Sequence, residues 1–153
     1  MLRISKLTDY GTVILAHLAS QPERQFAAAE VAEHTRIALP TVSKLLKTLQ
    51  RSGLVVSTRG SHGGYQLARP ASEITAAMIL DALEGPFAIT ECSGEHSSCD
   101  LESSCRVGHV WQRVNGAIRR ALSDVTLAQL AGLERSHATT TVPVSRITRA
   151  THE

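Results

Sequence analysis

The chain of 153 residues is long enough for one domain with an extension, and 42% of its residues are hydrophobic, which suffices for a core. No apolar run approaches the roughly 18 residues that suggest a membrane span, and charged residues interrupt the N-terminus before a secretory signal could form. We therefore expect a cytoplasmic protein without a membrane segment, in which the three cysteines are metal ligands or redox groups rather than disulfides.

The net charge of +2 conceals two oppositely charged modules. Between His34 and Ser72 there are six Lys or Arg residues and no acidic residue, whereas between Pro70 and Cys105 there are seven acidic residues and no Lys or Arg. This asymmetry predicts a phosphate-facing surface on the first module only.

Three helices are predicted in the first third of the chain. Apolar residues at helical spacing predict a helix over residues 5–20, and alanines and glutamates favour a second over residues 27–35. Pro40 predicts a break before the third helix because it disfavours a helical Leu39, and it suits the first turn of that helix. Gly53 suits the left-handed end of the helix. The third helix carries one apolar stripe: Val42, Leu45, Leu46 and Leu49.

Two short β-prone segments follow, over residues 54–58 and 65–68, and three glycines within the six residues that join them predict a hairpin tip. A helix is predicted over residues 73–84, and Gly85 and Pro86 end it. The polar residues 91–106 predict a loop.

A long helix is predicted after this loop from the apolar stripe of Val107, Val110, Trp111, Val114, Ile118, Ala121 and Leu122. A short helix over residues 124–131 follows. The tail from residue 133 lacks periodicity, and we expect it to be disordered.

This order predicts a mainly α fold with a small β-hairpin, which is a winged helix-turn-helix, plus a long C-terminal dimerisation helix. The third helix buries its apolar stripe and offers its other face to the major groove of double-stranded DNA, while the glycine-rich tip approaches the backbone. The alternative is an ordinary helical domain with a solvated basic face. The predicted DNA contacts are Thr41, Ser43, Lys44, Lys47, Arg59, Ser61, His62 and Gly63.

The loop over residues 91–106 carries all three cysteines. Cys92, Cys99 and Cys105 are separated by six and five residues, and His109 follows Cys105 after three more. Zinc sites with cysteine ligands usually contain one shorter spacing, so the pattern favours an iron–sulfur cluster, with structural zinc or a metal-free thiol switch as alternatives. No oxyanion pocket, phosphate loop or catalytic third group accompanies the thiols, so we predict neither an enzyme nor a small-molecule substrate.

Two motifs together resemble a known family. The segment RGSHGGYQLAR (59–69), followed by three widely spaced cysteines, resembles the iron–sulfur-sensing repressors IscR and NsrR. KLTDYG (6–11), EGP (84–86) and TEC (90–92) are similar to the branch that regulates the SUF cluster-assembly system. The resemblance covers residues 1–132. It implies a homodimer formed through the long helix, a cluster in each subunit, and control of iron–sulfur assembly genes, usually as a repressor.

The resemblance also implies ligands. Cys92, Cys99 and Cys105 match the three thiolate ligands. In the IscR pattern two residues separate the third cysteine from a histidine, whereas three separate Cys105 from His109, and one extra residue rotates a helical side chain by about 100°. NsrR-like members use an aspartate of the first helix, which Asp9 matches. A fourth ligand Asp9 would suit a 4Fe–4S cluster, and a histidine would suit 2Fe–2S.

These interpretations divide the chain into a winged helix-turn-helix domain (1–86), a cysteine loop for cluster binding (87–106), a dimerisation helix region (107–132) and a disordered tail (133–153). The recognition helix departs from IscR, because Ser43 and Lys44 replace its acidic and amide readers. The resemblance therefore does not carry over an operator sequence.

Overall fold

The computed structural model describes residues 4–90 and 107–134. The predicted cysteine loop over residues 91–106 and the tail beyond residue 134 lie outside the described residues. Within the two described ranges, no helix is sufficiently long and apolar to cross a membrane.

Three helices open the fold, as the sequence predicts: α1 (Lys6–Ala19), α2 (Ala28–Thr35) and α3 (Leu39–Arg51). Ser5 caps α1, since its side chain accepts a hydrogen bond from the amide of Thr8 at 3.3 Å. The expectation that Pro40 keeps Leu39 out of the helix is wrong, because α3 begins at Leu39. Pro40 sits in the first turn, where its missing N–H would have no helical acceptor.

A two-stranded antiparallel hairpin follows, formed by β1 (Val55–Thr58) and β2 (Gly64–Leu67). The register pairs Val55 with Leu67 and Thr58 with Gly64. Gly53 adopts φ +77° between α3 and β1, a conformation that favours glycine and lets the chain reverse there. The mainly helical fold with a hairpin is therefore confirmed.

The second half of the described chain is again helical. A short 3-10 helix (Ala71–Glu73) precedes α4 (Ala76–Glu84), and α5 (Gly108–Ser123) and α6 (Leu127–Leu130) complete the fold. The predicted helix over residues 73–84 thus begins later, because Ile74 and Thr75 are extended and pair with the segment before α6. The amide of Leu127 donates to the carbonyl of Ile74 at 2.7 Å.

One apolar core joins these elements. Its buried side chains come from α1, α2, α3 and α4, from the hairpin, and from α6 through Leu127. The stripe predicted on α3 is buried without exception, and Leu127 is fully buried although it follows α5 in the sequence. The residues after α5 therefore return to the winged-helix core, and α5 itself lies at its edge against α4.

Candidate nucleic-acid interface and its link to the cysteine segment

Helix α3 separates an apolar face from a polar one. Its buried residues are Val42, Leu45, Leu46 and Leu49. On the opposite side, Lys44 and Lys47 are exposed, and Thr41 and Ser43 are half-buried. The α3 residues that the sequence predicts as DNA contacts thus all lie outside the core of the described chain, with the two cations reaching furthest into solvent.

The wing, which we define as β1, β2 and the tip over residues 59–63, brings the second predicted group together. Arg59, Ser61 and His62 are exposed on the tip, and Gly63 is half-buried. The tip needs its glycine, since a Cβ at Gly63 would come within 2.1 Å of the carbonyl oxygen of Thr58. The tight turn therefore excludes larger side chains and places three polar residues at its outer end.

The wing is fastened to the segment between α1 and α2. Phe26 and Tyr65 exchange both backbone hydrogen bonds, at 2.9 and 2.8 Å. Gly64 makes this approach possible, since a Cβ there would lie 2.7 Å from the Phe26 carbonyl oxygen. The sequence analysis missed this pairing, because one bridged residue leaves no alternating pattern.

Two side-chain hydrogen bonds also hold the wing in place, one from α3 and one from the segment between α1 and α2. The amide of Gln50 donates to the hydroxyl of Ser57 at 2.8 Å, and the amide of Gln25 donates to the hydroxyl of Thr58 at 3.1 Å. A surface groove of about 960 Å³ lies between residues 21–25 and the wing tip. These bonds give the wing and α3 a fixed relation, as a two-point contact with a duplex requires.

The two candidates for a fourth metal ligand stand on different helices. Asp9 is exposed in the first turn of α1, and His109 is exposed in the first turn of α5. Cys92, Cys99 and Cys105 lie outside the described residues, so their relation to Asp9 and His109 is not described. Among residues 4–90 and 107–134, no three His, Cys, Asp or Glu side chains form a group that could hold a metal ion.

The first turn of α1 is held by α4. The carboxylate of Glu84 accepts hydrogen bonds from the backbone amide of Ser5 at 3.3 Å and from the hydroxyl of Thr8. The hydrogen bonds from Ser5 and Thr8 lower the pKa of Glu84 below its ordinary value. This arrangement fixes the turn on which Asp9 stands, and Asp9 borders a groove there together with Ile4 and Lys6.

Helices α4 and α5 hold the chain that leads into the cysteine segment, by which we mean residues 91–106. The side chain of Asn115, only 8% exposed, accepts a hydrogen bond from the amide of Ile89 at 3.2 Å. Asp81 accepts from the amide of Phe87 at 3.4 Å and from Arg119 of α5. Residues 87–89 are thus attached to both helices immediately before the segment begins.

An apolar stripe runs along the start of α5 on its outer side. Val107, Val110 and Trp111 are 59%, 56% and 43% exposed, and Val114, one turn further, is also exposed. Their spacing of three and four residues places them on one face. His109 stands about 160° around the helix from Trp111. An exposed apolar stripe of this kind is typical of a protein–protein interface.

Comparison with known proteins agrees with this architecture. Residues 4–132 match the family model of Rrf2, described as an iron-dependent transcriptional regulator. The chain is 30% identical over 131 residues to the HTH-type transcriptional regulator NsrR of Oceanobacillus iheyensis, covering 84% of this chain and 89% of that protein.

Solved structures show the same fold. CymR (YrzC), the global cysteine regulator of B. subtilis, has a TM-score of 0.67 and 29% identity, covering 88% of this chain and all of that one. IscR of T. potens has a TM-score of 0.63 and 29% identity, covering 90% of this chain and 93% of that one. The matches extend over both described ranges and are not limited to the helix-turn-helix.

Proposed function

The chain belongs to the Rrf2 family of iron-dependent transcriptional regulators, and we propose that it acts in the cytoplasm as a homodimeric repressor of iron–sulfur assembly genes that is switched by its own cluster. Rrf2 proteins are DNA-binding regulators and not enzymes, and we assign the nucleic-acid interface of this chain to α3 and the wing. The cluster, the target genes and the dimer are the proposal. Membership of the branch that regulates the SUF cluster-assembly system stays a prediction from the motifs KLTDYG, EGP and TEC.

The observation that carries the DNA-binding part is the common exposure of α3 and the wing tip. Lys44 and Lys47 on α3 and Arg59 on the tip are exposed cations on two elements that hydrogen bonds hold together. A helix in the major groove and a wing along the backbone need this combination. We assign the DNA contacts to Thr41, Ser43, Lys44, Lys47, Arg59, Ser61, His62 and Gly63.

The dimer is supported by the exposed stripe on α5. Trp111 is the largest side chain of the stripe and is 43% exposed in the single chain. A few buried side chains, among which Trp is especially frequent, provide most of the free energy of an interface, and the surrounding apolar side chains contribute through the area they bury. Trp111→Arg should give monomers in sedimentation velocity, whereas Arg120→Glu, on the far side of α5, should leave a dimer.

The donor set fits an iron–sulfur cluster. Three thiolates from Cys92, Cys99 and Cys105, with an exposed carboxylate at Asp9 or an exposed imidazole at His109, match the ligands that such clusters take. When bound, the cluster supplies a centre whose stability depends on iron and on oxidants. A structural zinc or a thiol switch on the same cysteines is the alternative.

The attachment of residues 87–89 gives ligation a route to the DNA interface. Asn115 and Asp81 bind the chain just before Cys92, and α4 contacts both α1 and α3. Ligation of the three cysteines therefore acts on helices that belong to the winged-helix core. A change of operator occupancy from about 99% to about 1% requires roughly a 10⁴-fold difference in affinity between the two states.

The decisive experiment compares colour and DNA affinity in anaerobically purified protein. The wild type should show visible absorption with bound iron and sulfide, and Cys99→Ala should be colourless. Ser98→Ala, in the same segment, is the matched control and should stay coloured. Colourless wild type with stoichiometric zinc would replace the cluster by the structural alternative.

The switch is measured on duplexes selected by the wild type from a random-sequence library. Operator affinity should differ between cluster-bound and cluster-depleted wild type, and Cys99→Ala should have the affinity of the depleted form. Equal affinity of all three would overturn the switch. Failure to enrich any duplex would overturn DNA binding itself.

A further inference from the structure

The N-terminal end of α3, the helix that we assign to the major groove, carries an apolar group. Ala38, Leu39 and Pro40 are all exposed, and Leu39 is 45% exposed although it is a large aliphatic side chain. We call these three residues the apolar tip. A single exposed leucine on a protein surface needs no explanation, so the case depends on where this one stands and what surrounds it.

The apolar tip is poor in hydrogen-bond donors. Ala38 is the N-cap residue of α3 and has no side-chain cap, and Pro40 has no N–H. The amides of Thr41 and Val42 both donate to the carbonyl of Ala38, at 2.9 and 3.1 Å. Pro40 lacks a donor and the amide of Thr41 is already bonded, so this end of α3 offers an anion fewer donors than an ordinary helix start.

The sequence around this end of the helix carries no charged side chain, which favours an apolar contact there. No charged residue stands between Arg36 and Lys44 in the sequence. The cations of α3, Lys44 and Lys47, come one and two turns later and suit the flanking phosphates. The residues at the start of a recognition helix approach the base edges. The one apolar group that bases present in the major groove is the C5-methyl of thymine.

We propose that the apolar tip, through Leu39, packs on a thymine methyl group in each half-site and so makes that thymine a requirement of the operator. This inference depends on the proposed DNA-binding function and adds a specificity determinant to it. Burial of one methyl-sized group contributes about 0.8 kcal/mol, which corresponds to about a fourfold change in affinity per half-site.

The test replaces each thymine of a selected duplex, one at a time, by uracil, which pairs identically but lacks the methyl group. Wild-type protein should lose about fourfold in affinity at one position of each half-site. Leu39→Ala should bind the thymine and the uracil duplex equally. Leu130→Ala removes another leucine that is 47% exposed, on α6, and should keep the wild-type response.

The results distinguish the role of Leu39 from the DNA-binding function on which it depends. Enrichment of duplexes without a methyl effect at any position overturns the role of Leu39 and leaves the DNA-binding function intact. A methyl effect of equal size in Leu39→Ala also overturns it. No enrichment overturns both. Thermal denaturation of Leu39→Ala, expected to match the wild type because the side chain is exposed, separates a folding defect from lost recognition.

Discussion

The guanidinium of Arg119 on α5 binds the carboxylate of Asp81 on α4 through two nitrogen–oxygen contacts, at 3.1 and 2.7 Å. Asp81 also accepts from the amide of Phe87. Both side chains are partly exposed, so water screens the pair, but a bidentate geometry is more favourable than a single contact. The pair therefore fastens α5 to the winged-helix core.

A double-mutant cycle with Asp81→Asn and Arg119→Gln should give a coupling of about 0.5–1 kcal/mol in the free energy of unfolding. Urea denaturation at one fixed protein concentration measures it, because dimerisation is linked to stability. The pair Arg24–Glu30 makes a single contact and serves as the comparison, with a smaller coupling. Equal coupling in both pairs would contradict the special role of the bidentate pair.

Helices α1 and α4 cross closely at Gly11. A Cβ at this position would come within 2.4 Å of the Cδ1 atom of Leu83. Gly11→Ala should therefore destabilise the fold by up to about 2 kcal/mol, because overpacking costs about 1–3 kcal/mol and alanine regains roughly 1 kcal/mol over glycine in a helix. Thermal or urea denaturation measures this free energy of unfolding.

Gly116 on α5 provides the matched control, since a Cβ there meets only the end of the Arg120 side chain, at 3.5 Å. Gly116→Ala should stabilise the protein or leave it unchanged. In Gly11→Ala/Leu83→Ala the two changes should cost less than the sum of the single variants. Simple additivity would show that Leu83 is not what Gly11 accommodates.

His17 predicts a dependence of stability on pH. Its imidazole lies 4.8 Å from the ring of Phe26 and 5.1 Å from that of His34. Burial, and secondarily His34, lower the pKa of His17, while Glu30 opposes and Arg24 assists the shift. The unfolded chain therefore binds the proton more readily, so the contribution of neutral His17 is present above pH 6.5 and is lost as pH falls through the lowered pKa.

The free energy of unfolding should thus decrease between about pH 7 and pH 5, and His17→Gln should decrease less over the same interval. His62→Gln, at the exposed wing tip, should keep the wild-type slope. An unchanged slope in His17→Gln would assign the acid sensitivity to other groups.

The local signals of the sequence predicted most of the fold. Gly53 and the glycines of the wing tip mark boundaries through backbone conformation alone, and the stripe of α3 follows from helical periodicity. For this reason the predicted helix bounds lie within a few residues of the observed ones. The exposed face of α3 followed too, because the face opposite a buried stripe is exposed by geometry; that this face contacts DNA stays a prediction.

Contacts between distant residues could not be predicted in this way. Leu127 enters the core through a bridge between Thr75 and Thr126, and Asp81 meets Arg119 across α4 and α5. Neither contact leaves a periodic pattern, because each depends on how separate elements pack. The apolar tip at Leu39 was missed for another reason: Pro40 was taken to exclude that residue from the helix.

The salt dependence of DNA binding tests the assigned interface. Lys47 on α3 and Arg59 on the wing tip are exposed, and each should neutralise one phosphate. Lys47→Ala or Arg59→Ala should weaken binding to all selected duplexes alike and should reduce the slope of log K against log salt by about one.

Arg120→Ala on α5 changes the same charge outside the proposed interface and should leave the slope unaltered. If Arg120→Ala reduces the slope as much as Lys47→Ala, the effect is one of net charge, and the duplex does not lie on α3 and the wing. If only Arg59→Ala reduces it, Lys47 reads a base edge, and its loss should then weaken some sequences more than others.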